Sequence, residues 1–464
     1  MKSIKSILAV ALAAAAFSTA GATSYNGNQV IAITGSTAFR SAANNYLYSK
    51  IGSYLFATDA TTTNSSSAGN LYFTNVPAST FGGTGNVDVA VYWSGSEAGN
   101  QSAACGTNGI GLVFFDYSSI TNNSANTSIT NGIYLGVSGV TFAGSITAAS
   151  TNANTVYEKA SIAFSDTKQT TSAFHGTYNF VTYHSLTQAS VGIVPMGFFT
   201  ENGNTLTNVT TPFVYELYSQ GYAKGNLISG VLSDTNIVYF ATGRFPDSGT
   251  RLTASLITKF GALASVNQFH PSASSGAITN LNLWPGGIIN GVTVNVGNNG
   301  ESSGGTLCKF LTNTLGSGAL TVTDTSEGAN AQTFPVGTTN HVIAYAGLAD
   351  AAGVSGYQSS NGPIPLAYNG VVGRCGNYGT TTALDQGYTN IINGSYPFWA
   401  TEYVGYDAGT TNTGGVTAQA KSLATNMISV IKSWNSSNNY SYLAPNIPLS
   451  EMKVSRTADG GPIN

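Results

Sequence analysis

Charge is scarce in this chain. Of 464 residues only 8% are charged, and 16 Lys and Arg against 19 Asp and Glu leave a formal net charge of −3. About a quarter charged is usual for a soluble domain. Without a basic surplus to displace counterions from phosphates, nucleic-acid binding by bulk charge is excluded. Cysteine is scarce too: Cys105, Cys308 and Cys375 are an odd set with no CxxC spacing. One bridge with one free thiol and three free thiols both fit, and Cys308–Cys375 is the pair that would join two distant segments. The four His show no i, i+4 pair, so a metal site is not expected and no cofactor is implied. After the N-terminus no run reaches the roughly 18 apolar residues a membrane helix needs. The 55 Gly follow no Gly-X-Y period and no repeat recurs at a fixed spacing, which excludes collagen and solenoids.

Hydrophobic residues, at 42%, suffice for a core. Lys2 and Lys5 precede an apolar run, Ile7 to Phe17, and a small-x-small site, Ala20-Gly21-Ala22. That pattern predicts a cleaved signal peptide at 1–22 and no lipid anchor, because no Cys follows the run. The expected destination is the periplasm or the exterior, in soluble form.

The exported part opens with a strand, Gln29 to Ile33, a turn at Thr34-Gly35-Ser36-Thr37 and a helix from Ala38 to Ile51. Further strands are predicted at Val87–Trp93, Ala160–Phe164, Val191–Phe199, Ile237–Phe240 and Val342–Ala346. Helices are expected at Pro212–Gln220, Arg251–Phe260, Thr306–Leu315 and Ala418–Ile431. Residues 100–157 break this rhythm and read as an inserted set of strands. Strands alternating with helices predict an α/β fold.

Three strand ends run into small hydroxyl and Gly residues where a helix begins: Gly35-Ser36-Thr37, Gly95-Ser96-Glu97-Ala98-Gly99 and Asp247-Ser248-Gly249-Thr250. Helix N-termini offer unpaired N–H groups and the positive end of the dipole, so such turns suit anions. Each alone is also an ordinary N-cap. The third has Arg244 four residues before Ser248, and a guanidinium is the preferred fork for a tetrahedral oxyanion.

In this order the motifs resemble those of the PstS-type phosphate-binding proteins, the periplasmic receptors of phosphate ABC transporters. "VIAITGSTAFRSA" is similar to their first strand and turn, "VYWSGSEAG" to their Ser-bearing Gly loop, "ASIAFSDTK" to their Ser-Asp strand end and "GRFPDSGTR" to Arg-x-x-x-Ser-Gly-Thr. "VIAYAGLADA" and "NGSYPFWATEYVGY" look like two later segments, so the likeness covers most of 29–410. It implies a two-lobed, type 2 periplasmic-binding-protein fold, with mixed sheets flanked by helices and a ligand cleft between lobes. Residues 23–190 would form the first part of lobe 1, 191–344 lobe 2, and 345–464 the return to lobe 1 with a C-terminal helix. The implied phosphate ligands are Ser36, Thr37, Ala38, Phe39, Ser96, Asp166, Arg244, Ser248, Gly249 and Thr250, the register of the first turn being open by one residue. Asp166 would accept a hydrogen bond from the proton that phosphate keeps and sulfate lacks, a repulsive device against the wrong ion. The implied partners are inorganic phosphate and the permease of an importer, and the chain would be a monomer and not an enzyme. Glu97 departs from the family's small residues and reads as a solvent-facing loop residue, since a carboxylate aimed at phosphate would repel it.

Two other readings arise from the residues. Gly300-Glu-Ser302-Ser-Gly304 fits a nucleophile elbow, with Asp324 or Glu327 and then His341 downstream, but Ser302 to His341 is too short for the intervening strands and helices. A secreted structural or surface-interaction protein could also keep the fold without transport, as the low charge and Thr/Asn-rich loops suggest.

Overall fold

The computed structural model describes residues 27–58, 60, 64–106, 112–115, 120–122, 140–142, 155–289, 292–315, 321–324, 330–333, 339–354, 362–375, 387–409 and 415–464. The proposed signal segment at 1–22 and the apolar stretch beginning at Gly132 lie outside them.

Twelve strands form one mixed sheet. In chain order they are β1 (Gln29–Gly35), β2 (Leu55–Thr58), β3 (Asn70–Pro77), β4 (Asn86–Tyr92), β5 (Ile162–Ser165), β6 (Leu186–Thr200), β7 (Asn208–Val209), β8 (Tyr222–Lys224), β9 (Ile237–Ala241), β10 (Thr339–Gly347), β11 (Ile364–Tyr368) and β12 (Trp399–Asp407). The order across the sheet is β8-β9-β10-β6-β12-β5-β1-β4-β3-β2, with β11 on the far end of β6 and β7 beside β11. The main helices are α1 (Arg40–Ile51), α2 (Ser96–Ala104), α3 (Thr211–Gln220), α4 (Gly249–Ile257), α5 (Gly304–Phe310), α6 (Leu348–Ala352) and α7 (Ala418–Ser433).

The strand β6 joins two half-sheets into one. Its first part, Leu186 to Pro195, pairs antiparallel with β12; its last part, Met196 to Thr200, pairs with β10 and β11. The two ends of a single 15-residue strand therefore belong to different half-sheets. The boundary expected at 190 falls within this strand. The second half also carries a five-stranded sheet built on Phe269–Ser274 and Ala277–Leu283.

In the first half, β1 lies between β5 and β4 and is parallel to both. Parallel strands covered on both faces read as continuous apolar runs, and Ile31, Ile33, Val89, Val91, Ile162 and Phe164 are all buried. Helices α1 and α7 cover this core with Ala43, Tyr46, Leu47, Leu423, Met427 and Ile431, joined by the Tyr46 hydroxyl, which donates to Asn426 Oδ1 at 2.7 Å. In the second half, β9 and β10 are parallel neighbours. Carboxyl ends of parallel strands collect on one edge, and crevices open where strand order reverses. Residues 36–37, 94–96 and 166 thus share one edge, and 242–244 and 347–350 share another.

Several element ends depart from the sequence-based expectation. α2 runs to Ala104, so 100–104 belong to a helix rather than to inserted strands. The strands Leu112–Phe115 and Thr155–Glu158 do pair antiparallel, as an insertion of strands requires. α4 begins at Gly249 because Ser248 caps it, its hydroxyl accepting from the Arg251 N–H. α5 ends at Phe310, and Thr314–Leu315 joins the strand Ala277–Leu283 instead of extending the helix. All three cysteines are free, with Cys105 and Cys308 buried, so the Cys308–Cys375 bridge is not formed.

Candidate functional site

Two tight approaches bring the strand ends together. Gly35, at φ +127°, lies so close to β5 that a Cβ there would stand 1.9 Å from the Phe164 carbonyl oxygen. Gly95, at φ +116°, would place a Cβ 2.6 Å from the carbonyl of Asp247, in the other half of the molecule. Only glycine takes such angles without strain. The Glu97 N–H donates to that same Asp247 carbonyl at 2.9 Å, and the start of α2 is thereby docked on the loop before α4.

Asp166 sits at the centre of this contact. The Ser96 hydroxyl donates to its Oδ1, the Asp166 N–H donates to Ser96 Oγ at 3.2 Å, and the Thr250 hydroxyl reaches Oδ2 at 3.5 Å. The Cα of Gly249 faces the carboxyl so closely that a Cβ would fall 1.5 Å from Oδ1. Burial pushes the Asp166 pKa up to about 6, against the Ser96 bond and the Arg244 charge, which pull it down.

Arg244 follows β9 and is 1% exposed. Its Nε donates to the Glu301 carbonyl at 3.1 Å, and its Nη2 to the Ser302 carbonyl at 3.0 Å and to Thr37 Oγ1 at 3.2 Å. Its Nη1 is buried with no hydrogen-bond partner. Burial lowers its pKa while Asp350 and Asp166 oppose that. A buried guanidinium nitrogen without an acceptor is costly, and an anionic oxygen would satisfy it.

The structure therefore gathers Thr37, Ser96, Asp166, Arg244, Gly249 and Thr250 into one buried cluster drawn from both halves. Ser36 and Phe39 are buried beside it. The Ser36 hydroxyl lies against Glu402, whose carboxyl burial drives well above the usual range. Phe39 stacks on Phe164 at 6.1 Å between ring centroids, and Ala38 packs 3.7 Å from the Cβ position of Gly347. The Ser248 hydroxyl is committed to capping α4.

Glu97 is not in a solvent-facing loop. It lies in the first turn of α2, 3% exposed, and accepts from the Thr167 hydroxyl at 2.9 Å. Desolvation raises its pKa to about 7, with the charges of Asp166 and Asp247 adding to the rise. The Gly300–Gly304 segment is not a nucleophile elbow. Ser302 lends its carbonyl to Arg244, and His341 is held by Glu201 at 2.5 Å with no hydrogen bond between the two. The backbone of that segment is what the sequence reading missed, along with Asp350 in α6, a half-buried acid whose buried Oδ2 has no hydrogen-bond partner and which acts electrostatically on Arg244. Its run of Gly and Asn signalled a close backbone approach: a Cβ on Gly300 would stand 2.4 Å from the Arg244 carbonyl.

Among the described residues no three His, Cys, Asp or Glu side chains are grouped as metal ligands, and no helix is long and apolar enough to cross a membrane. No family profile and no curated protein matches the sequence. Solved structures similar to it include an ABC-type phosphate transport receptor from Vibrio cholerae (11% identity, 86% of this chain and 93% of that one, TM-score 0.34). PstS from Borrelia burgdorferi is similar at 10% identity over 90% and 98% of the two chains, TM-score 0.33. A phosphate-binding protein from Stenotrophomonas maltophilia is similar at 12% identity over 64% and 78%, TM-score 0.31. In build the chain is a mixed α/β protein of two half-sheets, similar to solved phosphate receptors.

Proposed function

We propose that the chain is an extracytoplasmic receptor that captures phosphate between its two lobes and delivers it to an ABC importer. The lobes would divide within β6, and the ligand would lie among Thr37, Ser96, Asp166, Arg244, Gly249 and Thr250, with Ser36, Ala38, Phe39 and Ser248 shaping the turns around it. The observation that carries this reading is the buried, unpartnered Nη1 of Arg244 beside an acid and two hydroxyls. A desolvated oxyanion needs convergent donors and a positive charge, and α2 and α4 add N-terminal N–H groups. The acid gives the selectivity. Phosphate at neutral pH can donate a hydrogen bond to Asp166, whereas sulfate presents only lone pairs to it. Closure would follow from bending along β6, the strand common to both half-sheets.

Calorimetric titration of anion-free protein with phosphate and with sulfate tests this, beside Arg244→Ala. The expected result is saturable phosphate binding, no sulfate binding, and at least a hundredfold loss in the variant. No heat and no thermal shift with either anion would sink the reading.

A further inference from the structure

The loop at 455–464 closes on itself. The Asn464 N–H donates to the Ser455 carbonyl at 3.0 Å, and the Ser455 N–H to the Asn464 carbonyl at 3.2 Å. Arg456 pins the loop to β12: its Nη1 donates to the Trp399 carbonyl at 2.9 Å, and its guanidinium lies 4.1 Å from the centre of the Trp399 ring. The phosphate reading makes no use of this loop.

Asp459, half-buried in the loop, reaches the turn just beyond Asp166. Its Oδ2 accepts from the Lys168 N–H at 2.7 Å and from the Thr171 hydroxyl at 2.8 Å. The Lys168 ammonium donates back to the Thr457 carbonyl at 2.8 Å. Each of these bonds has one ionised partner, which makes it stronger than a neutral one. Asp459 is also close enough to act on Asp166 electrostatically.

The next residue touches the other half of the molecule. Gly460, at φ +63°, lies so near α4 that a Cβ there would stand 2.4 Å from the Leu256 Cβ. Thr253 of the same helix meets Trp399 and Arg456 around a cavity of about 10 Å³, room for one water at most. The loop is therefore packed closely on α4. Two consecutive residues hold opposite walls of the Asp166 cluster. Asp459 holds the turn that carries Asp166, and Gly460 rests on the helix that begins with Gly249 and Thr250.

We propose that Asp459 is a positioning residue of the anion site: it fixes the turn behind Asp166 and, through Gly460, ties that turn to α4, so that the loop latches the two halves together. The service to an anion rests on the phosphate reading; the tie between the halves does not.

Amide hydrogen exchange on the whole anion-free protein tests the tie, because local opening is read segment by segment. Asp459→Ala is expected to speed exchange about fivefold in both 166–172 and α4, and Asp459→Asn, which keeps an acceptor, to leave both within about twofold of wild type. A response confined to 166–172 would show a local cap and overturn the latch, as would no response at all. If Asp459→Ala does not fold, Lys168→Met, which loses the bond to Thr457, is expected to act in the same direction by about twofold, and its silence in α4 overturns the latch equally. The second readout is phosphate release from loaded protein, expected about fivefold faster in Asp459→Ala at an unchanged association rate. Unchanged release overturns the positioning role. Faster exchange in both segments, in a protein whose wild type binds no phosphate, overturns the receptor reading and leaves the latch.

Discussion

The guanidinium of Arg244 donates to Thr37 Oγ1 at 3.2 Å, joining the turn after β1 to the strand end after β9. The contact links the two half-sheets through a side chain that still has one nitrogen unsatisfied. In the proposed site Thr37 would hold the fork in place for an anion. Thr37→Val keeps the shape and removes the acceptor. Phosphate affinity is expected to fall roughly tenfold, about 1.4 kcal/mol, with the unfolding temperature of the anion-free protein little changed. Titration and thermal unfolding of the same preparations check both.

Asp166 makes stability depend on pH. Its pKa rises from 3.8 to about 6 on folding, mainly through burial. Between those values the folded chain keeps the proton that the unfolded chain releases, so stability falls as pH rises. Below the lower value no penalty applies; above about pH 6 it is complete, on the order of 3 kcal/mol. Glu97, raised from 4.5 to about 7, extends the same trend. The anion-free protein is therefore expected to melt at higher temperature at pH 5 than at pH 7.5, and Asp166→Asn to flatten the part of that slope below pH 6. A wild-type midpoint that rises steadily with pH over this range would contradict the assignment.

Gly249 has no room for a side chain. A methyl group would meet Asp166 Oδ1 at 1.5 Å, so Gly249→Ala must push α4 away from the carboxyl and break the Thr250 contact. Loss of phosphate binding beyond a hundredfold is expected, with a much smaller fall in the unfolding temperature than Gly35→Ala causes. At Gly35 both a 1.9 Å clash with backbone and a φ of +127° must be absorbed in the core sheet.

In the proposed anion site His270 would act through another residue, Glu301. Its Nδ1 lies 2.8 Å from Glu301 Oε1, and its ring packs edge to face against Trp284 and Phe310. The Glu301 backbone accepts from Arg244 Nε and from the Phe245 N–H. His270→Ala is expected to weaken phosphate binding about tenfold, and His270→Gln, which can still donate to the carboxylate, to recover most of it. Equal losses in the two variants would show that ring packing alone matters.

The thiols offer a check on the fold. Cys105 and Cys308 are buried and Cys375 is half-buried, all three unbridged. A thiol reagent should label native protein at Cys375 first and reach three thiols only on unfolding. Two unreactive sulfurs after denaturation without reductant would reveal a bridge.

The strand and helix cores were legible in the sequence because apolar periodicity reports burial directly. Ile31, Ile33 and Val89 mark buried parallel strands, and Leu423, Met427 and Ile431 mark the inner face of α7. The turns at the strand ends were legible as well, since Gly35, Ser96, Arg244 and Gly249 are local solutions to strand–helix junctions. Element ends were less so: whether Thr314 extends a helix or joins a strand depends on Ala277 across the sheet, a partner no local window contains.

What the sequence determined by itself was the alternation of apolar segments and the kind of residue at each strand end, because propensity and periodicity act over a few neighbours. Tertiary structure alone decided which of those ends meet. Glu97 reads locally as a polar loop residue. It became a buried acid because the Asp247 carbonyl, 150 residues on, docks on its N–H and closes the space around its side chain. The Gly300–Gly304 segment likewise signals only a close backbone approach, without showing that its carbonyls hold Arg244. Desolvation arises from neighbours distant in the chain, so the electrostatics of the site were fixed only when the two half-sheets came together.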